Sequence, residues 1–234
     1  MSINKYFDKI YLLNLHKRKE RLFNSTTKLN QLNIEYDVFH GCDGKVLQHL
    51  WNKLDNQNFV NPQYLGCAIS HLSIYQDALE SGFNKILILE DDNLIHRDVQ
   101  SIFSSIDIPD FSDLLYLGYI PLSDDLQYWT YELAYNQHNA INSNFFKCRN
   151  LWGLYSYGIT DKLMTELIET YKTSFPMELD RYFVNFIQTR GESIAISPQI
   201  FCCDDDIVSD NTGHSVHLST RSIDSRFANR QDYI

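Results

Sequence analysis

Glu90, Asp91 and Asp92 follow without a break on the run Lys85-Ile86-Leu87-Ile88-Leu89. An apolar, β-branched-rich segment that ends in three carboxylates reads as a buried parallel strand delivering acids to the carboxyl edge of a sheet. In open α/β folds ligands bind at that edge. Side chains alternate along an extended backbone, so Glu90 and Asp92 are expected on one side and Asp91 on the other. Two converging carboxylates suit a hard divalent cation, and such a cation suits a diphosphate. The plain alternative is a solvated acidic turn after a core strand.

A second group with chemical potential is the basic cluster His16-Lys17-Arg18-Lys19 with Arg21. It stands at a predicted helix start and reads either as a solvated face or as a local phosphate contact. Asn14, Arg18 and Arg21 follow the first strand, where a nucleotide lies in such folds. One arginine there can grip a phosphate in two-pronged fashion. Ser70 and His71 sit beside the apolar face of a later helix, near the nucleotide or bracing the acidic strand. A histidine so placed also serves simply as a satisfied core residue.

The elements that must position these groups follow from periodicity. Residues 9–15 read as a buried strand, and Leu22, Thr26, Leu29 and Leu32 mark a helix over 17–32. Tyr36-Asp37-Val38-Phe39 reads as a second strand closed by the turn Gly41-Cys42-Asp43-Gly44. This βαβ opening predicts a parallel sheet with right-handed crossovers. Asn61-Pro62 starts a helix with a capping side chain and a proline at the first position, and Gly82 ends it. Further strands are predicted at 85–89, 113–117, 152–159 and 193–197, with helices capped by Thr160 and over 177–189. Residues 119–150 show no steady period, which in a compact domain marks a functional or mobile segment. From Phe201 the chain turns polar, predicting an ordered edge and then a mobile tail from about residue 215.

Composition narrows the class. With 234 residues, 44% of them hydrophobic, the chain can bury a substantial core as one domain over 1–234. A formal net charge of −10 argues against nucleic acid as a partner. The N-terminus lacks the apolar core of a signal peptide, and no run has the length of a transmembrane segment. The five cysteines show no metal-ligand spacing and fit reduced thiols, so a cytoplasmic location is expected.

Several segments taken in order resemble glycosyltransferase family 25, which includes lipopolysaccharide sugar transferases and collagen hydroxylysine galactosyltransferases. They are Tyr11-Leu-Leu-Asn-Leu15 with Arg18 and Arg21, Cys42-Asp-Gly44, Leu65-Gly-Cys-Ala-Ile-Ser-His-Leu72 and Ile86-Leu-Ile-Leu-Glu-Asp-Asp92. Leu114-Leu-Tyr-Leu-Gly118, Gly153-Leu-Tyr-Ser-Tyr-Gly-Ile-Thr160 and Leu179-Asp180 continue the match. The resemblance covers roughly the first four-fifths of the chain, and the joint presence of Gly-Cys-Ala-x-Ser-His and Glu-Asp-Asp makes it specific.

That resemblance implies a single Rossmann-like nucleotide-diphosphosugar transferase domain of the GT-A type, with a mostly parallel central sheet. It implies UDP-galactose or UDP-glucose as donor, Mn²⁺ or Mg²⁺ as cofactor, and inversion at the anomeric carbon. Asp92 is then the direct metal ligand, with Glu90 on the ribose or supporting the ion and Asp91 holding the strand edge. Asn14, Arg18, Arg21, Asp43, Ser70 and His71 are the expected nucleotide contacts. Inversion requires a general base, for which Asp180 is the first candidate and Glu178 the rival. His214 or His217 is a candidate third metal ligand, since imidazole suits Mn²⁺. Asp210 is a candidate donor or acceptor contact. Asp204-Asp205-Asp206 looks like a second metal motif and is read as an exposed acidic loop. Tyr128, Trp129 and Trp152 can stack on a sugar or fill core.

The resulting expectation is a metal-dependent hexosyltransferase acting on a hydroxyl of a glycan or a hydroxylysine of a collagen-like protein, in a bacterial or viral setting. The alternatives are a non-catalytic binding or assembly module on the same fold, and a nucleotide-sugar hydrolase.

Overall fold

The computed structural model describes residues 1–54, 59–122, 140–204, 207–211 and 230–234. The chain opens with α1 (Ile3–Tyr6), β1 (Lys9–Leu15), α2 (Lys19–Gln31), β2 (Asp37–Gly41) and α3 (Gln48–Trp51). There follow α4 (Pro62–Glu80), β3 (Lys85–Glu90), β4 (Asn93–Ile95), α5 (Val99–Ser105), β5 (Leu114–Tyr116) and β6 (Ile120–Pro121). The second half supplies β7 (Phe145–Lys147), β8 (Leu151–Trp152), β9 (Ser156–Thr160), α6 (Asp161–Thr173), α7 (Leu179–Tyr182), β10 (Ile194–Ile196) and β11 (Phe201–Cys203).

Among the described residues the main sheet has seven strands in the order β2-β1-β3-β9-β5-β10-β7. β1 runs parallel to both β2 and β3, and β10 parallel to β5. β9 runs against its neighbours β3 and β5, and β7 against β10. Five strands therefore share one direction, which bears out a mostly parallel α/β sheet, and the parallel order is interrupted inside it. The reason is β9: it returns through the middle of the sheet and fills the gap between β3 and β5.

Alternation along the strands feeds two cores. Tyr11, Leu13, Ile86, Ile88 and Tyr157 join Ile74, Tyr75 and Ala78 of α4 and Leu163 and Leu167 of α6 on one face. Ile10, Leu12, Leu87 and Leu89 join Leu29 of α2 and Val99 and Phe103 of α5 on the other. Burial on both faces explains why the strands read as unbroken apolar runs.

α4 forms where the sequence places it. The Asn61 side chain accepts from the backbone N–H of Gln63 and Tyr64 at 3.0 and 3.1 Å, and Pro62 occupies the first turn. Its start lies close against the turn that follows β2. A Cβ at Gly44 would meet the Pro62 carbonyl at 2.2 Å, and one at Gly66 would meet the Gly44 nitrogen at 2.6 Å. Only glycine allows that approach.

Other expectations need correction. The stretch 119–150 is not structureless where described: it holds β6 and the sheet-edge strand β7. Thr160 precedes α6 but does not cap it, because its hydroxyl donates to the Ser112 carbonyl at 2.6 Å. The helix expected over 177–189 is one short α-turn, α7, followed by a wider turn over Phe183–Ile187. The ordered edge expected from Phe201 is β11, while the tail expected from about residue 215 lies outside the described residues as far as residue 229. β11 pairs with β4, and the last residues return to the same place, where Ile234 and Ile95 exchange backbone hydrogen bonds and Tyr233 is buried. Among the described residues no helix is long and apolar enough to cross a membrane.

Candidate active site

The three acids separate as the strand alternation requires. Glu90 ends β3, its N–H donating to the Tyr155 carbonyl at 2.8 Å. The turn is staked by Asn93, whose Nδ2 donates to the carbonyls of Glu90 and Tyr155, both at 2.7 Å. Asp91 turns back into the fold. It accepts from Asn14 Nδ2 at 2.5 Å and faces Arg21 at 3.3 Å, while its own carbonyl accepts from Ser25 at 2.8 Å. Burial pushes the Asp91 carboxyl up; the Arg21 charge and the Asn14 hydrogen bond oppose it.

Glu90 and Asp92 face two adjoining pockets that also share Cys67, Ser209 and Asn211. One Asp92 oxygen, Oδ1, is enclosed with no hydrogen-bond partner among the described residues. Burial, then the charges of Glu90 and Asp91, push this carboxyl up to about 8. An enclosed carboxylate beside a second acid and lacking a donor is what a bound cation would satisfy, so the donor set fits a hard divalent ion.

The first pocket carries the groups suited to a nucleotide diphosphate. Its wall includes Lys17, Arg21, Asp43, Lys45, Ser70, Asp91 and Asp210. Asp43 caps the turn Gly44–Leu47 by accepting from the Lys45 N–H at 3.1 Å and pairs with Lys17 at 2.6 Å. Burial works against the Asp43 charge, but these partners hold the carboxyl below its ordinary value. Asp210 reaches across to Arg18, whose Nε donates at 3.0 Å, and lies 3.4 Å from Arg21. Burial again opposes the charge, and the two guanidiniums outweigh it, keeping Asp210 low.

The second pocket is lined by Tyr64, Gly153, Tyr155, Glu178, Leu179 and Asp180 beside Asp92. Burial raises the Asp180 carboxyl to about 6, against the Arg181 N–H that donates to it at 2.8 Å. Its rival is differently employed. Glu178 is buried, accepts from the Val60 N–H at 2.9 Å and faces Arg181 at 3.3 Å, tying α7 to the segment before α4.

Ser70 and His71 brace the site from α4. Ser70 Oγ donates to the Gly66 carbonyl at 2.7 Å and accepts from the Cys42 N–H at 2.8 Å, fixing the turn that bears Asp43. His71 has no exposed surface; Nε2 lies 3.1 Å from Glu90 Oε1 and Nδ1 lies 2.8 Å from the Tyr157 hydroxyl.

Of the remaining sequence candidates, Asn14 is buried against Asp91 rather than open to the pocket. Trp152 bonds Asn150 at 2.8 Å and lines neither pocket. Asp204 is not part of an exposed loop: it follows buried β11, is itself half-buried, and its N–H donates to the Asp92 carbonyl at 2.7 Å. Pairing of β11 with β4 brings it there. Tyr128, Trp129, Asp205, Asp206, His214 and His217 lie outside the described residues. Sequence reasoning passed over Cys67, Tyr155 and Asn211, which the fold brings to the site. The signal for Cys67 was its place four residues before His71, on one face of a helix.

The model of glycosyltransferase family 25 (LPS biosynthesis protein) matches residues 7–183, most of the chain. The chain belongs to glycosyltransferase family 25. Every acid of the cleft from Asp43 to Asp180 falls within the matched range, and Asp204 and Asp210 fall beyond it. Procollagen galactosyltransferase 2 of Mus musculus is 26% identical over 129 residues, covering 48% of this chain and 21% of the relative. The procollagen lysyl hydroxylase and glycosyltransferase of Acanthamoeba polyphaga mimivirus is 28% identical over 136 residues, covering 48% of this chain and 15% of the relative. The inactive glycosyltransferase 25 family member 3 of Mus musculus is 25% identical over 129 residues, covering 48% and 22%. The chain thus spans less than a quarter of the length of these relatives. A solved glycosyltransferase involved in glycosylation of the major capsid of PBCV-1 aligns over 80% of both chains at 13% identity, with a TM-score of 0.43. Likeness of that degree carries no conclusion about this chain.

Proposed function

We propose that residues 1–234 act as one transferase domain that moves galactose or glucose from a UDP-sugar to a hydroxyl, with inversion at the anomeric carbon. The observation that carries this reading is the placement of Asp92 and Asp180 on one pocket. One carboxylate has an enclosed, unpartnered oxygen, and the other is raised to about 6. Family membership supports the donor class. The acceptor we favour is a hydroxylysine of a collagen-like protein or a hydroxyl of a glycan, following the printed names of the family and its procollagen relatives.

In this reading the uridine diphosphate lies in the first pocket, along the end of β1 and the start of α2. Arg21 and Lys17 face its phosphates, and Asp43, held by the Lys45 N–H on a turn that Ser70 fixes through Cys42, can accept from the nucleoside. Asp92 and Glu90 hold Mn²⁺ or Mg²⁺, which offsets the charge that builds on the leaving diphosphate. The hexose then points into the second pocket, toward Asp180. There Asp180 takes the proton of the acceptor hydroxyl as its oxygen attacks the anomeric carbon and the bond to the diphosphate breaks. A base raised to about 6 is ionised at neutral pH yet basic enough for that transfer.

The test is calorimetric titration of UDP-galactose and UDP-glucose with Mn²⁺ present and again with chelator, followed by an acceptor screen. Metal-dependent binding of one sugar supports the assignment, and transfer to a hydroxyl completes it. Full-rate release of free hexose without acceptor would make the protein a hydrolase. Absence of binding to both sugars would place it with non-catalytic members of the family.

A further inference from the structure

One cluster beside the cleft shares Glu90 with the proposed transfer and adds two side chains, Cys67 and His71, that the transfer does not use. Cys67 and His71 stand four apart on α4 and so project from one face of the helix. Glu90 meets them from the end of β3. The ligand atoms of the three side chains all lie within 4.8 Å of one another. Cys67 and Glu90 line both pockets, while His71 is fully enclosed behind them.

The imidazole is held as metal-bound imidazoles are held. Its Nδ1 lies 2.8 Å from the Tyr157 hydroxyl, and that hydroxyl bonds the hydroxyl of Tyr75. Such a partner on the far nitrogen fixes ring orientation and aims Nε2 at the site. A thiol, an imidazole and one carboxylate, with a fourth side open to the cleft, match the donors that zinc selects. They differ in kind from the oxygen-only pair that Mn²⁺ or Mg²⁺ prefers.

We propose that Cys67, His71 and Glu90 form a soft-metal site of the zinc class, distinct from the hard-ion position at Asp92, with its open coordination position facing the cleft. When the ion binds, the Cys67 thiol gives its proton to solvent and the sulfur becomes the ligand. The His71 hydrogen bond to Glu90 at 3.1 Å is exchanged for two metal bonds. His71 then carries its proton on Nδ1, where the Tyr157 oxygen accepts it and the Tyr157 hydrogen turns to Tyr75. Glu90 is withdrawn from the acid pair, so zinc occupancy lowers the affinity of the cleft for a second, hard ion.

The experiment uses the full chain, stripped with chelator and titrated with Co²⁺ as a spectroscopic probe. It needs neither donor nor acceptor, so its outcome is independent of the transferase reading. The expected result is a thiolate-to-cobalt charge-transfer band that saturates with one ion and is displaced by Zn²⁺. Cys67→Ser should abolish the band and weaken Zn²⁺ binding about tenfold or more, measured against a chromophoric chelator. Asp92→Asn should keep the band. Zn²⁺ should also protect Cys67 of the unmodified protein from alkylation, read by peptide mass spectrometry, a measurement that requires no variant. Lack of a thiolate band in the wild-type chain, a band that survives Cys67→Ser, or unprotected alkylation at saturating Zn²⁺ would overturn the proposal.

Discussion

Asn14 donates to Asp91 at 2.5 Å, so the first strand of the sheet holds the middle acid of the trio and leaves the outer two to the cleft. This bond joins residues 77 positions apart at the edge where two parallel strands end. With the Arg21 charge at 3.3 Å it offsets the cost of burying the middle of three consecutive carboxylates. Asn14→Ala leaves a buried carboxylate short of a donor and should cost about 1–3 kcal/mol of stability, measured by urea unfolding. The effect on metal-dependent donor binding should be indirect and smaller than that of changing Asp92. An unchanged unfolding midpoint would remove Asn14 from this role.

Asp92→Asn keeps the shape of the side chain and discards its charge. Donor binding in Mn²⁺ should fall to the level that chelator produces in the wild type, and chelator should then have no further effect. Equal donor affinity in the two proteins would sink the metal assignment.

Asp180 offers a pH signature. Its carboxyl rises to about 6 in the fold from an ordinary value of 3.8, so transfer should increase with pH through about 6 as the base ionises. Stability runs the other way. The folded state holds this proton more tightly than the unfolded chain, so its contribution is complete below about pH 4 and fades as pH rises through about 6. Asp180→Asn should flatten both profiles, lower kcat about 100-fold or more and leave donor affinity intact. Glu178→Gln should instead lower thermal stability, because it loosens the link from α7 to Val60. Loss of turnover in Glu178→Gln with normal stability would reverse the two roles.

Gly66→Ala places a methyl carbon 2.6 Å from the Gly44 backbone nitrogen. Neither backbone can yield without moving the Asp43 turn, so the change should cost about 1–3 kcal/mol and weaken UDP binding together. Thermal melting and calorimetry on the same sample check it. A normal melting temperature would mean that the turn and α4 adjust independently.

Local rules made much of this legible. The strand-to-acid boundary at Leu89–Glu90, the Asn61-Pro62 helix start and the alternation of Glu90, Asp91 and Asp92 each depend on neighbours in sequence, and each is found. What the sequence did not disclose depends on partners far along the chain. The antiparallel entry of β9 has no period of its own to announce it. The docking of Asp204 beside Asp92 follows from a three-residue strand, β11, too short to give a pattern. Glu178 and Asp180 line the same pocket, and the difference is that Glu178 is also tied to the Val60 N–H and Arg181. Two carboxylates so close in a sequence look alike until that is known.

The turn that bears Glu90 and Asp92 has a further consequence for how this protein comes into being. Two of the bonds that anchor that turn end on the Tyr155 carbonyl, just before β9 enters the sheet between β3 and β5. During synthesis β1, α2 and β2 can pair soon after they emerge, since Tyr11 and Asp37 are near in sequence, whereas β3 joins β1 only once the whole of α4 has followed. The acids then wait, fully translated but unshaped, until some 65 further residues have left the ribosome, a gap set by the numbering of Glu90 and Tyr155. A nascent chain halted in that interval carries every acid of the Glu-Asp-Asp motif and no binding site. Ligand capture is therefore a late event in the life of each molecule, since Tyr155, Asp180, Ser209 and Asn211 must all arrive before the two pockets are lined.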